Sequence, residues 1–313
     1  MISSYQLLCI LLLSRLSAEI FYPSVGGYGW STIAAAALTE GVRFLLALPF
    51  LLYSIRGTSF YGSTARKSRI AGWVFAAAAA FLISLAAVRG ALYTAEFAQR
   101  TVLVGMSGAV SAVLTVAFAV YSASKGAEAI ARSGVIILAG TAILTVIIAI
   151  AAIPHMRELQ LPQAEMNSSF FEQVYERIYR GGEYMIFAAL LPYVKRTEKG
   201  LSPCGALLCF SGISLVSVIL INVFGMAVLG EFYGVADFPF TAAAQLSDIA
   251  LFKRLDGFAG AMWSAAAALR CGMLLFSAYA VIYAVVSERK GARNEKNTHL
   301  GNTGRMSASQ RMR

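Results

Sequence analysis

Apolar residues run along this chain in blocks of about twenty, the length an α-helix needs to cross the hydrocarbon core of a bilayer, with short polar breaks between them. The pattern predicts eight membrane helices, at roughly 5–22, 31–55, 70–94, 101–122, 134–153, 178–194, 203–229 and 257–286. The alanine runs Ala34–Ala37, Ala76–Ala80 and Ala265–Ala268 leave thin helix faces that suit close helix packing rather than chemistry. The first block resembles a signal peptide in length. It lacks a basic leading region, however, and Arg15 interrupts its apolar core, so it reads as a retained helix. From Glu288 onward the sequence is polar, basic and rich in Ser, Asn and Gly, too poor in apolar area to fold alone. The expected organisation is therefore a transmembrane bundle over residues 1–287 and a basic disordered cytoplasmic tail over 288–313, resting on anionic lipid.

Composition strengthens this reading. Of 313 residues 58% are hydrophobic and only 13% charged, about half the charged share of an average soluble domain. The fold class expected is all-α, a polytopic membrane helical bundle.

The net charge of +10 invites a nucleic-acid reading, but its placement argues for topology. With the amino terminus inside, sixteen Lys and Arg fall on the cytoplasmic side, in the even-numbered loops and the tail, and six on the other side. That asymmetry predicts both termini in the cytoplasm, with the lipid bilayer as the partner of this charge. The tail has no aromatic residue on which a base could stack, so no nucleic-acid partner is expected.

Catalytic and metal chemistry find little support. His155 sits beside a proline at a segment end, and His299 lies in the polar tail. Cys9, Cys204, Cys209 and Cys271 fall in apolar stretches without zinc or redox spacing. No span joins a nucleophile to a histidine base. No metal, disulfide, cofactor or enzymatic activity is expected.

Four arginines, Arg15, Arg43, Arg89 and Arg270, lie within the predicted spans, where a charge needs a partner or a wet cavity. Glu40, three residues before Arg43 on one helical face, predicts a local ion pair. Arg89 and Arg270 either snorkel, pair structurally or face a ligand. Two regions concentrate polarity further. Leu13–Glu19 places Ser14, Ser17, Arg15 and Glu19 at mid-membrane depth before Pro23, Gly26 and Gly27 end the segment. In Tyr179–Tyr184, Gly181, Gly182 and Glu183 stand where an amphipathic stretch passes into an apolar helix. The glycine pair reads either as an unwound break, the kind that forms substrate sites in secondary transporters, or as the loop before span six.

These residues carry a resemblance. Ile2–Leu7 with Leu13–Leu16 resembles the first helix of the spore germination permease family, the integral B subunits of endospore germinant receptors. Lys125–Arg132 is similar to that family's stretch between helices four and five, and Gly182-Glu183 with Leu190–Lys195 to its sixth helix and exit. Phe252–Asp256 with Trp263 resembles its pattern before helix eight. The matches are colinear over about residues 2–285.

The resemblance implies the ten-helix inverted-repeat fold of the amino acid/polyamine/organocation permease superfamily. It also implies a place in the inner membrane of the spore and sensing of an amino acid-like germinant with a lipoprotein and a larger membrane subunit as partners. In that superfamily the interrupted first and sixth helices hold the ligand. Carried to matching positions, this gives Ser14, Arg15, Ser17, Gly181, Gly182 and Glu183 as candidate binding residues. Arg15 suits a ligand carboxylate and Glu183 an ammonium, or the two pair with each other. After the eighth span the chain runs into the polar tail, so an incomplete version of that fold, lacking its last two helices, is expected. This departure favours ligand sensing over alternating-access transport. An amino acid transporter and a non-binding scaffold stand as the alternatives.

Overall fold

A computed structural model describes the backbone of residues 1–21, 27–55, 60–102, 107–156, 168–195, 201–246 and 255–310. Pro23 and Gly26, the basic residues Arg56, Arg157, Arg196 and Lys199, and the Phe252–Arg254 part of the motif before helix eight lie outside them.

The apolar blocks fold as helices. These are α1 (Ser4–Phe21), α2 (Trp30–Ile55), the short α3 (Phe60–Lys67), α4 (Arg69–Phe97), α5 (Gly108–Ser124), α6 (Gly126–Ala152), α7 (Ser168–Arg180), α8 (Glu183–Leu190), α9 (Pro203–Leu229), the short α10 (Pro239–Gln245) and α11 (Leu255–Gln310). The described residues contain no strand, only one isolated parallel bridge between Ile2 and Val194. Among the described residues five helical stretches are long and apolar enough to cross a membrane: Trp30–Leu52, Ile70–Thr101, Gly126–His155, Pro203–Gly234 and Gly257–Ser287; Gly108–Ser124 is a shorter apolar helix. The expected sixth span is realised as two pieces, α7 and α8. The start expected near residue 101 for span four falls at Gly108, because α4 continues through a π-helical turn over Ala98–Val102.

Local chemistry sets the boundaries. Ser68 and Ser202 cap α4 and α9, accepting from Ala71 N and Gly205 N, and Pro203 opens α9 where no donor is needed. Gly126, at φ +83°, turns the chain between α5 and α6, so these two helices are joined through Lys125 alone.

α11 is the central helix. Of its apolar window 67% is buried, against 22% for those of α4 and α6. It packs on α4, α5, α6 and α1, while α9 packs on α1 and α2. The approach to α5 is close: a Cβ on Gly272 would meet Ser122 Oγ at 1.9 Å and Ala119 O at 3.1 Å. One face of α5 is small and hydroxylated at Ser111, Thr115, Ala119 and Ser122. Its hydroxyls bond back to their own helix, as Thr115 Oγ1 does to Ser111 O at 2.9 Å. Trp263, from the motif before helix eight, is fully buried with its ring 5.2 Å from that of Phe240.

The surface is the inverse of a soluble protein's. Ile70, Val74, Phe81, Val88 and Leu92 lie exposed along α4, and Ile136, Ile143, Val146 and Ile150 along α6. The interior holds Arg15, Glu40, Arg43, Arg177, Glu183 and Arg270. Only lipid makes such an exterior favourable.

At one end of the bundle Ile2 N donates to Tyr193 O (3.0 Å) and Lys195 N to Ile2 O (2.9 Å), and the amino terminus lies 3.3 Å from Glu128. This brings Lys125, Arg132 and Lys195 to a common end, the grouping on which the expected topology rests. At α11 the structure departs from the sequence reading: the backbone continues as helix through Gln310, where an unstructured tail is expected from residue 288. Residues 288–296 include Glu, Arg, Lys and Ala, good helix formers able to extend a helix already nucleated upstream.

Candidate functional site

Six helices converge on a buried set of charges, α8 contributing Glu183 at its first position. α1 contributes Ser14, Arg15 and Ser17, each 3% exposed or less. α2 contributes Glu40 and Arg43, one turn apart. α7 exposes Phe171, Tyr175 and Tyr179 on its outer face, and its 3–4 spacing turns Phe170, Gln173 and Arg177 inward. α9 contributes Ser214 and Asn222, eight residues apart on one face, and α11 contributes Arg270.

The break between α7 and α8 is made by Gly181 and Gly182, neither of them helical. Gly181 N closes the last turn of α7 on Ile178 O at 3.1 Å. Gly182, at φ −139°, donates its N–H to Glu183 Oε2 at 3.0 Å, so the carboxylate folds back over the start of its own helix. A Cβ on Gly181 would stand 2.6 Å from Arg43 Nη2, and glycine alone lets the guanidinium lie against the chain here. Arg43 Nη2 donates to Arg177 O, which ties α2 to the end of α7.

The charges form two linked groups. In the first, Glu183 Oε1 accepts from Ser14 Oγ (3.2 Å) and Arg270 Nη2 (3.3 Å); Arg270 Nε donates to Ser14 Oγ (3.1 Å) and Nη2 also to Arg180 O (3.0 Å). In the second, Glu40 Oε1 lies 2.8 Å from both Arg15 Nη2 and Arg43 Nη1, while Oε2 accepts from Ser214 Oγ at 2.8 Å. Arg15 also reaches Glu19 at 2.6 Å. Arg177 extends the group, lying 3.6 Å from Glu19 and donating to Asn222 Oδ1 at 3.0 Å, an oxygen that Tyr233 OH also reaches at 2.8 Å. Ser17 Oγ bonds back to Ser14 O at 2.9 Å and does not join the charges. Burying so many ions is costly unless each is paired and hydrogen-bonded. Among the described residues five arginines (Arg15, Arg43, Arg177, Arg180, Arg270) face three acids (Glu19, Glu40, Glu183); with Arg180 paired to the half-buried Glu176, one positive charge is in excess.

The sequence-derived residues thus gather around one region, with two corrections. First, α1 runs unbroken through Ser14–Ala18. The segment has no Gly or Pro, and Ser17 satisfies a helical carbonyl instead of opening the chain. The break expected in both helices is found in the sixth alone. Second, Arg15 and Glu183 are not direct partners: Arg15 pairs with Glu19 and Glu40, and Glu183 with Arg270. Arg270 reaches Glu183 because it enters from the central helix, which places it beside the break. The Glu40–Arg43 pair forms as expected. Arg89 lies with its guanidinium carbon 3.6 Å from the centre of the Tyr179 ring, a cation–π partner at the bundle surface.

Arg177, Ser214, Asn222 and Tyr233 escaped the sequence reading. Arg177 sits in a polar stretch where one more charge carries no signal. Ser214 and Asn222 were legible as two polar residues on one face of an apolar span. No group of three or more metal-ligating residues occurs among the described residues.

Fold and site together define a polytopic α-helical membrane protein of permease-like character, with a broken helix and an ion cluster inside the bundle. The chain belongs to the spore germination protein family, whose family model matches residues 29–292 and so covers most of it, including α2 to the membrane part of α11. The match begins after α1, so Ser14, Arg15 and Ser17 lie before it. No curated protein matches the chain.

Proposed function

We propose that this protein is the membrane subunit of a nutrient germinant receptor in the inner membrane of the spore, binding an amino acid or similar small molecule and acting without catalysis. One observation carries the reading: the glycine break at Gly181–Gly182 stands against a buried cluster with one cation in excess. Unwound backbone inside a membrane bundle is tolerated where it faces protein or a binding cavity. A ligand carboxylate neutralises the excess charge, and Glu183 offers an acid for an ammonium. Ser14, Arg15, Ser17, Gly181, Gly182 and Glu183 are the residues assigned to this region, with Ser17 shaping α1 rather than touching the ions. Binding shifts the bundle between two packings, and lipoprotein and larger membrane subunits pass the signal on.

The test is germination of a deletion strain on single amino acids, complemented with wild-type protein or with Glu183→Gln. Loss of the response to one nutrient in the deletion strain, and a response shifted at least tenfold in nutrient concentration in the variant at equal protein level, is expected. An unchanged response to every nutrient excludes the receptor.

The broken helix also suits an amino acid transporter. Labelled substrate in proteoliposomes separates the two: a receptor shows saturable binding without flux, a transporter shows flux. If Arg15→Ala and Glu183→Ala both leave function intact at normal expression, the subunit is a scaffold that binds no ligand.

A further inference from the structure

A cavity of about 490 Å³ lies to the side of the ion cluster, between α2, α3, α4 and the α7–α8 break. We propose that it is a binding site for an apolar monocarboxylate, a short fatty-acid-like anion entering from the lipid side. The site adjoins the region of the amino acid reading, with Gly181 and Gly182 at its inner end, but takes a different ligand, so octanoate and amino acid binding are tested separately.

The volume is in the range of small-molecule pockets. The walls are apolar and largely aromatic: Phe50, Phe60, Tyr61, Phe75, Leu82 and Met185. Phe60 is the hinge of the aromatic wall, its ring centre 5.1 Å from that of Phe50, 5.5 Å from Tyr61 and 6.4 Å from Phe75. The outer rim includes Leu46, Phe75 and Leu82, which are 59%, 54% and 44% exposed on the apolar exterior of the bundle, so the mouth opens toward lipid. At the inner end stand Gly181, Gly182 and Arg43.

Arg43 sets the ligand's charge. Its side chain is 4% exposed, its Nε has no hydrogen-bond partner, and the carboxylate it does meet, Glu40, is shared with Arg15. It is the one charged residue among those lining the cavity. An anion there pairs with an under-compensated buried cation and removes the cluster's excess charge, whereas no acid lines the cavity to meet a ligand ammonium. This favours a plain carboxylate over a zwitterion. The distance along α2 from Arg43 to Phe50 is about 10 Å of helix rise, matched by a chain of roughly eight carbons at about 1.3 Å per methylene.

The experiment is binding of radiolabelled octanoate to the full chain in nanodiscs, with empty nanodiscs as background. Saturable binding is expected, with octanol and octylamine competing at least tenfold more weakly than octanoate, and L-phenylalanine also more weakly. Filling the cavity with Ala79→Trp is expected to weaken octanoate binding at least tenfold. The headgroup comparison uses the unaltered protein and so stands even if the variant fails to fold. Octanol or octylamine competing as well as octanoate, L-phenylalanine outcompeting it, a folded Ala79→Trp binding as the wild type does, or binding no greater than to empty nanodiscs overturns the proposal.

Discussion

Glu183 accepts from Ser14, Arg270 and the Gly182 backbone. Glu183→Gln keeps its shape and removes the charge that Arg270 meets at 3.3 Å. Breaking a buried pair from one side costs about 3–5 kcal/mol. Thermal unfolding in detergent is expected to show a loss of that order, and Arg270→Gln in the same chain should recover more than half of it; a cycle with no coupling would show that the pair is not formed. What was legible at this scale was charge out of place. Arg15, Arg43 and Arg270 lie in apolar runs, and a cation there must be answered. Which acid answers which arginine depends on helix rotation, and periodicity does not encode that. Glu40 therefore serves both Arg15 and Arg43, though the sequence allots it to Arg43 alone.

The helices themselves follow from the blocks of twenty apolar residues, and the break in the sixth follows from Gly181 and Gly182. The extent of α1 matches the expected span, but its unbroken course was less legible, because the resemblance carried an interruption to Ser14–Ala18. Close approach is a property of helix pairs, and Gly272 shows its cost. A Cβ there overlaps Ser122 Oγ, so Gly272→Ala is expected to destabilise the bundle by about 1–3 kcal/mol. Adding Ser122→Ala removes the overlapping oxygen and should restore much of the loss in thermal unfolding. Failure of that rescue would locate the strain at Ala119 O instead.

For the whole molecule, the charge asymmetry makes a claim about sides. Lys125 is exposed at the end that also holds the amino terminus, and Asp237 is exposed at the Arg100 end. In a chain whose natural cysteines are replaced, a cysteine at position 125 should react with an impermeant thiol reagent only from the cytoplasmic side, and one at 237 only from the opposite side. Labelling of both from one side would refute the assigned topology. Counting Lys and Arg made this prediction possible because the rule concerns loops, whose positions are fixed once the spans are known.

The two backbone hydrogen bonds that join Ile2 to Tyr193 and Lys195 have a mechanical meaning. They fasten the far end of α8 to the start of α1, the unbroken helix, so α8 is the fixed arm of a lever. Gly181–Gly182 is its pivot and α7 the other arm, held by Arg177 to Glu19 and Asn222. Because Arg43 holds the Arg177 carbonyl, α2 is the catch that restrains it. If a ligand fills the space beside the pivot and moves α7, spin-label distances from α7 to α9 should change when it is added, and those from α1 to α8 should not.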